Sequence, residues 1–293
     1  MHKMNTNTDT INENNQPTDW LVMYSNTGDA NILDDLETAK KESLKTGILD
    51  YFVPLDVTRI IVDDKAIERK RLIAGNYIFI KATKEDILRL RQGPPFDASL
   101  RFLHPASSPT GCIYIPDSEV QMMRLAIQMM DGEVEYFVPT SKDLMVGDIV
   151  SVFDGRFAGI KGILESVKGH DGGRVIVPLG DVLAVRTPKI PADNIQLLAF
   201  AKVSDSQSSS YTSRAYKRIR MLAATSDRLL EEVERGALSQ ESEKEARRLL
   251  MRFGQLELTG KIRIMHAQAI YNILLALGET EGEQFVKFKN RLP

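Results

Sequence analysis

The sequence predicts an α+β domain, followed by a small β-barrel and a helical C-terminal region. Over residues 18–130, apolar positions switch several times between strand spacing and helix spacing, which favours helices packed on a sheet. At 150–163, a strand pattern, a glycine-rich turn and a second strand pattern indicate a separate β domain. From 213 to 293 the apolar residues recur at helical spacing.

Length and composition narrow the possible function classes. The 293 residues suffice for two or three domains, each with its own core. A single cysteine, Cys112, excludes an internal disulfide and a cysteine-rich zinc site, and the four histidines lie far apart. We therefore expect neither a metal site nor a cofactor.

The net charge limits the expected partners, and the length of the apolar runs limits the expected location. The formal net charge is −2, whereas a stand-alone nucleic-acid binder usually carries a basic excess that neutralises phosphates. We therefore expect this protein to reach nucleic acid as part of a larger complex or through a local basic patch. No apolar run is long enough to cross a bilayer, and the first 17 residues lack an apolar signal core. A cytoplasmic location without a membrane partner is expected.

The elements of the first domain follow from its apolar spacing and its turn residues. They are a strand at 20–24, a helix over 32–44 ended by Gly47, a short strand at 51–54, a hairpin or exposed loop at 56–70, a central strand at 76–80, a helix at 84–91, a strand at 100–104 and a helix from Asp117 to about Met130.

Shifts in composition set the expected domain boundaries. They are a disordered tail at 1–17, the α+β domain at 18–130, a polar linker at 131–142, the β domain at 143–199, a second linker at 200–212 and the helical region at 213–293.

The turn of the β domain rests on glycines and one aromatic side chain. Gly155, Gly159 and Gly162 permit positive φ or close backbone approach. Phe157 is the single bulky anchor between them. Later strands of this domain are predicted at 174–179, 182–185 and near 194–197.

The C-terminal region predicts three helices and a closing basic segment. The helices are expected at 214–234, from Ser242 to Gly254 and at 260–277, with Ser242 and Glu245 as a capping box. The region carries 15 basic and 11 acidic side chains, so the basic surface of the chain is expected here. Two basic clusters suit either a DNA or RNA contact or a solvated helix face. They comprise Arg214, Lys217, Arg218, Arg220, Arg247, Arg248 and Arg252.

The glycine-rich turn, with Gly147 and Asp148 ahead of it, resembles the KOW motif of small SH3-like barrels. An α+β domain followed by one KOW barrel resembles the NusG-type transcription elongation factors. The strands at 20–24 and 75–80 and the helix start at 115–120 are similar to that family's N-terminal domain. The resemblance implies a NusG-type α/β sandwich, a KOW barrel and a helical extension outside the family core. The pair Asn76-Tyr77 is closer to the specialised RfaH-type paralogues.

The resemblance also implies a factor that binds RNA polymerase and stays bound during elongation. By position, Tyr24, Ile73 and Tyr77 would line the apolar depression that binds the polymerase clamp. The alternative is that these strand side chains are core. A factor that binds one polymerase conformation better than another suppresses pausing or termination without making or breaking a bond. We therefore expect a transcription elongation or antitermination factor, acting at selected operons, and no enzyme activity.

Contact with non-template DNA is a second implication of the resemblance. RfaH-type factors use basic residues after the first strand, where this chain has Asn26 and Thr27. Other basic side chains are candidates for phosphate contacts, and each also suits a solvated charged face. These candidates are Arg69, Lys70, Arg71, Arg89 and Arg91.

The barrel carries its own candidate partner site. In the family, a loop with an Ile-Phe-Gly-Arg pattern contacts the termination factor Rho or a small-subunit ribosomal protein. Here the loop at 178–181 lacks the aromatic and reverses the charge, which argues against unchanged contacts. A factor that binds polymerase without recruiting Rho would suppress termination. The candidate residues are Gly155, Phe157, Gly159, Gly162, Leu179 and Gly180.

Two other function classes compete with this interpretation. A ribosome-associated or RNA-binding KOW protein predicts basic loops around the barrel, yet residues 143–199 balance seven acidic side chains with a similar number of basic ones. An enzyme predicts a recognisable site, but the sequence has no G-x-x-x-x-G-K-[ST] phosphate loop and suggests no nucleophile–base pair.

Overall fold

A computed structural model describes residues 18–26, 31–62, 65–73, 76–105, 107–108, 110–130, 134–139, 147–166, 172–201, 208–259 and 261–292. The tail expected at 1–17 lies outside these residues. The chain divides into two compact units, residues 1–138 with 178–185, and residues 139–177 with 186–293. Helices and antiparallel sheets make up the described chain, which is consistent with the predicted α+β class.

The first unit contains most of the strands predicted from the sequence, and several short helices. Its strands are β1 (Asp19–Ser25), β2 (Asp50–Phe52), β3 (Leu55–Val62), β4 (Lys65–Leu72), β5 (Tyr77–Lys81), β6 (Leu100–Phe102), β7 (Tyr114–Pro116) and β8 (Glu135–Phe137). Its helices are α1 (Ile32–Lys41), α2 (Ser43–Thr46), α3 (Lys84–Leu90), α4 (Phe96–Ser99) and α5 (Asp117–Met129).

An antiparallel sheet in the order β2-β5-β1-β6 organises the first unit, and β7 pairs with the start of β1. Successive side chains of a strand point to opposite faces, so each face collects alternate residues. One face packs against α1 and α3 in the main core, which includes Leu21, Met23, Leu36, Ile78, Ile80 and Ile87. The prediction of 76–80 as a central strand is confirmed, because β5 lies between β2 and β1.

Helix α5 lies against the opposite face of this sheet. Trp20 is fully buried there, and its indole Nε1–H donates to the Asp117 carboxylate at 2.8 Å. The Arg124 guanidinium lies 4.9 Å from the Trp20 ring centre. Ionic and aromatic contacts therefore fasten α5 to the Trp20 end of the sheet.

Strands β3 and β4 form a separate two-stranded ribbon. Their register runs from the pair Leu55–Leu72 to the pair Val62–Lys65. Leu72 is buried at the base of the ribbon, where Leu55 packs against the main core. The segment predicted as a hairpin or exposed loop is thus a hairpin.

Residues 178–185 group with the first unit, although their sequence suggests a place in the barrel at 143–199. Within this unit β12 (Leu183–Arg186) pairs with β8. Strand β8 lies inside the segment predicted as a polar linker. Its partner strand β12 contains no proline and begins with three apolar residues, Leu183, Ala184 and Val185, which are all buried.

The second unit holds an antiparallel sheet in the order β13-β9-β10-β11. Its strands are β9 (Ile149–Val152), β10 (Lys161–Ser166), most of β11 (Gly173–Leu179) and β13 (Ile195–Ala199). The predicted strand, turn and strand at 150–163 are present, because β9 pairs with β10. The Gly159 N–H closes the turn by donating to the Val152 carbonyl at 2.8 Å.

Four helices follow in the described part of the second unit: α6 (Ser208–Glu234), α7 (Gln240–Phe253), α8 (Lys261–Ala276) and α9 (Glu283–Lys289). The expected cap of the second helix is wrong by three residues. Ser239, not Ser242, caps α7: its hydroxyl accepts the backbone N–H of Ser242, the third residue of the helix, at 3.1 Å. The closing segment contains helix α9, in which Phe285 and Phe288 bury an apolar face and Lys287 and Lys289 supply the expected basic charge.

The helices are joined to the β-strands of the same unit by polar contacts. Asp148 is nearly buried, and its carboxylate binds the Arg218 guanidinium and the Ala201 N–H. The Gln196 amide on β13 donates to the Met251 carbonyl on α7 at 2.8 Å. The helical region is therefore an integral part of this unit.

Candidate functional site

Two tyrosines form the centre of the candidate site on the first unit. Tyr24 on β1 is the direct partner of Tyr77 on β5, and both side chains are half-buried. They share the sheet face on which Trp20 and Phe79 are fully buried. Because α5 covers the Trp20 end, the tyrosine pair marks the part of this face that reaches solvent.

The turn before β5 sets the position of Tyr77. Asn76 has a positive φ of 48°, a conformation that asparagine tolerates better than most residues. Its N–H donates to the Ile73 carbonyl at 2.9 Å, and its side-chain amide donates to the Ser25 carbonyl at 3.2 Å. Asn76 thus joins the start of β5 to the end of β1 and holds the two tyrosines in register.

Two arginines lie beside this pair. Arg101 on β6 is the direct partner of Tyr24 on the other side of β1, and its guanidinium donates to the carbonyls of Asp97 and Leu100. The Arg91 guanidinium lies 5.3 Å from the Phe102 ring centre. Burial, and secondly the charge of Arg101, lower the pKa of Arg91, while Tyr24 acts to raise it. We call Tyr24, Tyr77, Arg91 and Arg101 the tyrosine surface.

Arg101 is a member of this surface that the sequence interpretation missed. The signal was present, since Leu100, Arg101 and Phe102 alternate apolar, polar, apolar over a three-residue strand. Ile73, predicted to line the same surface, is only 8% exposed and belongs with the buried side chains. Of the three residues predicted to line the polymerase-binding depression, Tyr24 and Tyr77 are therefore the two that reach the surface.

Ionic contacts stiffen the α5 end of the sheet. Asp117 accepts from Lys81 Nζ at 2.8 Å, besides the Trp20 indole. Burial acts to raise the pKa of Asp117, but the bonds from Lys81 and Trp20 outweigh it and hold the pKa below its usual value. Arg124 binds Asp50 at 2.8 Å and ties α5 to β2. This end of the sheet is a rigid support for the tyrosine surface.

The predicted DNA-contacting residues lie on two separate elements. Lys70 and Arg71 are exposed on β4, where they are neighbours and therefore point to opposite faces of the ribbon. Arg69 lies on the same strand, but its side chain is outside the described ones. Arg89 on α3 is paired with Asp86 at 3.2 Å. Among the four whose side chains are described, Arg91 is the one that adjoins a tyrosine of the site, Tyr24.

The predicted barrel residues have mainly structural surroundings. Gly155 and Gly159 adopt φ values of 78° and 94°, which explains why glycine occupies them. A Cβ on Gly162 would lie 2.3 Å from the Ile176 carbonyl oxygen. Phe157 is 8% exposed and anchors the turn, with the Arg156 guanidinium 5.6 Å from its ring centre.

The predicted partner loop of the barrel is engaged within the first unit. Leu179 is fully buried. The Gly180 N–H donates to the Glu119 carboxylate of α5 at 2.8 Å. In this conformation neither residue is free to bind a partner.

Metal-binding clusters and membrane-spanning helices are both absent from the described ranges. These residues contain no group of three or more His, Cys, Asp or Glu side chains arranged to hold a metal ion. Within the same ranges, no helix combines the length and apolar character needed to cross a membrane.

Comparisons with known proteins add little to this geometry. No family model and no curated protein matches the sequence. Among solved structures, the chain is similar to one described as "Crystal Structure of MjSpt4:Spt5 complex conformation B", with 13% sequence identity and a TM-score of 0.19. The similarity covers 64% of this chain and 99% of that chain. A similarity at this TM-score supports no statement on function.

Proposed function

We propose that this protein is a NusG-type transcription factor that binds RNA polymerase through the tyrosine surface and suppresses pausing or termination. The observation that supports the proposal is the pairing of Tyr24 with Tyr77 on the two central strands, with both side chains partly exposed. Tyrosine and arginine are the side chains that most often carry binding energy in protein interfaces. A rigid sheet presents them here without a large ordering cost.

The proposed partner is the clamp region of the polymerase, and the proposed role is not enzymatic. A bound factor stabilises whichever polymerase conformation it fits best, by the difference between its two affinities. Arg91 and Arg101 give the surface a positive flank, which favours an acidic partner surface. The proposed place of action is the cytoplasm, at selected operons, with Lys70 and Arg71 available for non-template DNA.

The barrel loop is part of the same proposal. Rho or a ribosomal protein would need access to Leu179 and Gly180, which are buried and bound to Glu119, respectively. A polymerase-bound factor that leaves Rho unrecruited raises transcription through Rho-dependent terminators. The proposed activity is therefore antitermination.

Single-round transcription tests this function. Purified polymerase would transcribe a template with pauses and a terminator, with and without the full-length protein. We expect more readthrough with the wild type, and about 30-fold weaker polymerase binding for Tyr24→Ala/Tyr77→Ala, as for loss of an interface hot spot. Ile264→Ala is the matched control, since it removes an exposed large side chain from the second unit and lies on neither proposed binding surface.

Two results would overturn the proposal. One is wild-type protein that changes neither pausing nor readthrough. The other is a folded double variant, checked by circular dichroism, that binds polymerase as tightly as the wild type.

A further inference from the structure

The first two-thirds of α6 is basic and lacks acidic side chains. From Ser208 to Ser226 the sequence has four basic residues and no aspartate or glutamate, whereas 227–234 holds four acidic residues. Like charges three or four residues apart on a helix repel one another. Helix stability therefore does not account for this pattern.

The structure separates the two basic clusters that the sequence singles out. On α7, two arginines of the cluster are already paired with acidic side chains of the same protein. Arg247 binds Glu243 at 3.0 Å and Glu279 at 2.8 Å, and Arg248 binds Asp193 at 2.9 Å. On α6, Arg218 faces inward and binds Asp148.

The other two described cations of the α6 cluster face solvent. Lys217 and Arg220 are exposed, and no acidic side chain among the described residues forms an ion pair with either. Tyr216 is 46% exposed beside them, and Met221 is 63% exposed. With 3.6 residues per turn, these four residues lie within about 140° of the helix circumference. We call them the α6 face.

We propose that the α6 face binds single-stranded nucleic acid. Lysine and arginine neutralise phosphates, and a tyrosine ring offers a flat surface on which a base can stack. Paired bases in a duplex are already stacked on each other, so an exposed ring favours an unpaired strand. Phosphates and base faces are common to RNA and DNA, and the α6 face recognises that shared chemistry.

Fluorescence anisotropy with the full-length protein tests this proposal. The probes are labelled oligo-U and oligo-dT of about 20 nucleotides, longer than a typical single-strand site of about 4–16. Binding is measured from about 50 to about 200 mM salt. The two oligonucleotides distinguish an RNA site from one that accepts either strand.

The variants separate phosphate contacts from stacking. For Lys217→Ala/Arg220→Ala we expect about tenfold weaker binding at low salt and a salt slope reduced by about 1.4, which is two phosphates at about 0.7 each. Tyr216→Ala should weaken binding at least about fivefold. Tyr216→Phe keeps the ring and should bind like the wild type.

The matched control is Arg247→Ala/Arg248→Ala, which removes the same charge from α7. Its binding should stay within about twofold of wild type, because those arginines are already paired. The proposal is overturned if wild type binds neither oligonucleotide, if the control weakens binding as much as the α6 double variant, or if a duplex of equal length binds equally well.

The variants also keep this proposal separate from the polymerase proposal. Tyr24→Ala/Tyr77→Ala should bind oligonucleotide like the wild type, and Tyr216→Ala should bind polymerase like the wild type. The substituted α6 side chains are exposed, so folding is not at risk, and circular dichroism checks each variant.

Discussion

Gly180 and Glu119 are joined by a hydrogen bond of 2.8 Å from the glycine N–H to the glutamate carboxylate, although 61 positions separate them. Glycine suits the position for two reasons. Its φ is 56°, and a Cβ would lie 2.5 Å from Ile115 Cδ1. A loop that the family resemblance assigns to partner binding is thus fastened to the start of α5.

Removal of this carboxylate should loosen the loop. A hydrogen bond to a charged acceptor contributes about 1.5–3 kcal/mol. We expect Glu119→Ala to speed hydrogen exchange at the Gly180 amide at least about tenfold. Glu119→Gln keeps an acceptor and should have a smaller effect. Equal exchange rates in wild type and Glu119→Ala would show that the bond does not hold the loop.

Gly162 should tolerate no side chain. A Cβ there would lie 2.3 Å from the Ile176 carbonyl oxygen, in the ladder between β10 and β11. We expect Gly162→Ala to lower the free energy of unfolding by about 1–3 kcal/mol in urea denaturation. Gly93→Ala is the control, because open space surrounds that position. It should change stability by less than about 0.5 kcal/mol.

The pair Arg218–Asp148 should contribute strongly to the second unit. The Asp148 side chain is only 6% exposed, so loss of its partner leaves a buried, uncompensated carboxylate. We expect Arg218→Ala to lower the free energy of unfolding by about 3–5 kcal/mol. Arg220→Ala removes a charge two positions away on the exposed side and should be nearly neutral. Similar calorimetric profiles for both variants would contradict this expectation.

His266 should make stability depend on pH. It is 1% exposed, and its Nε2–H donates to the Phe253 carbonyl at 3.0 Å. Burial lowers its pKa from 6.5 to about 4. As pH falls below about 6.5, the unfolded chain gains a proton that the folded chain does not. The free energy of unfolding therefore falls between about pH 6.5 and pH 4, and this contribution is complete above that range.

His266→Gln isolates this contribution, because glutamine retains an N–H donor but does not titrate. Between pH 7 and pH 5, the wild type should lose about 2 kcal/mol more unfolding free energy than the variant. Urea denaturation at both pH values measures the difference. Parallel losses in the two proteins would show that His266 is protonated equally in the folded and unfolded states.

Local patterns predicted the elements that depend on their own residues. Continuous apolar and aromatic runs located β1 and β5, and the glycine spacing located the turn between β9 and β10. Elements that depend on distant partners were harder to find. Strand β8 exists through its pairing with β12, and α9 is fixed by contacts such as the ring stacking of Phe285 on Tyr271 at 4.9 Å.

The candidate sites also combine features that the local sequence predicts with features that depend on contacts between distant residues. The family resemblance grouped Tyr24, Ile73 and Tyr77 by position and left open that they are core, and Ile73 is in fact buried. It also treated the arginines of α7 and the cations of α6 alike.

By itself the sequence determined where most of the strands and helices and the glycine turn lie, since spacing and backbone preference act over a few residues. The tertiary structure decided which charges stay unpaired and which aromatic rings reach solvent. Arg247 is paired because the fold brings Glu279, 32 positions away along the chain, within 2.8 Å of it, whereas no described acidic side chain pairs with Lys217. Contacts between such distant residues exist only after the chain has folded.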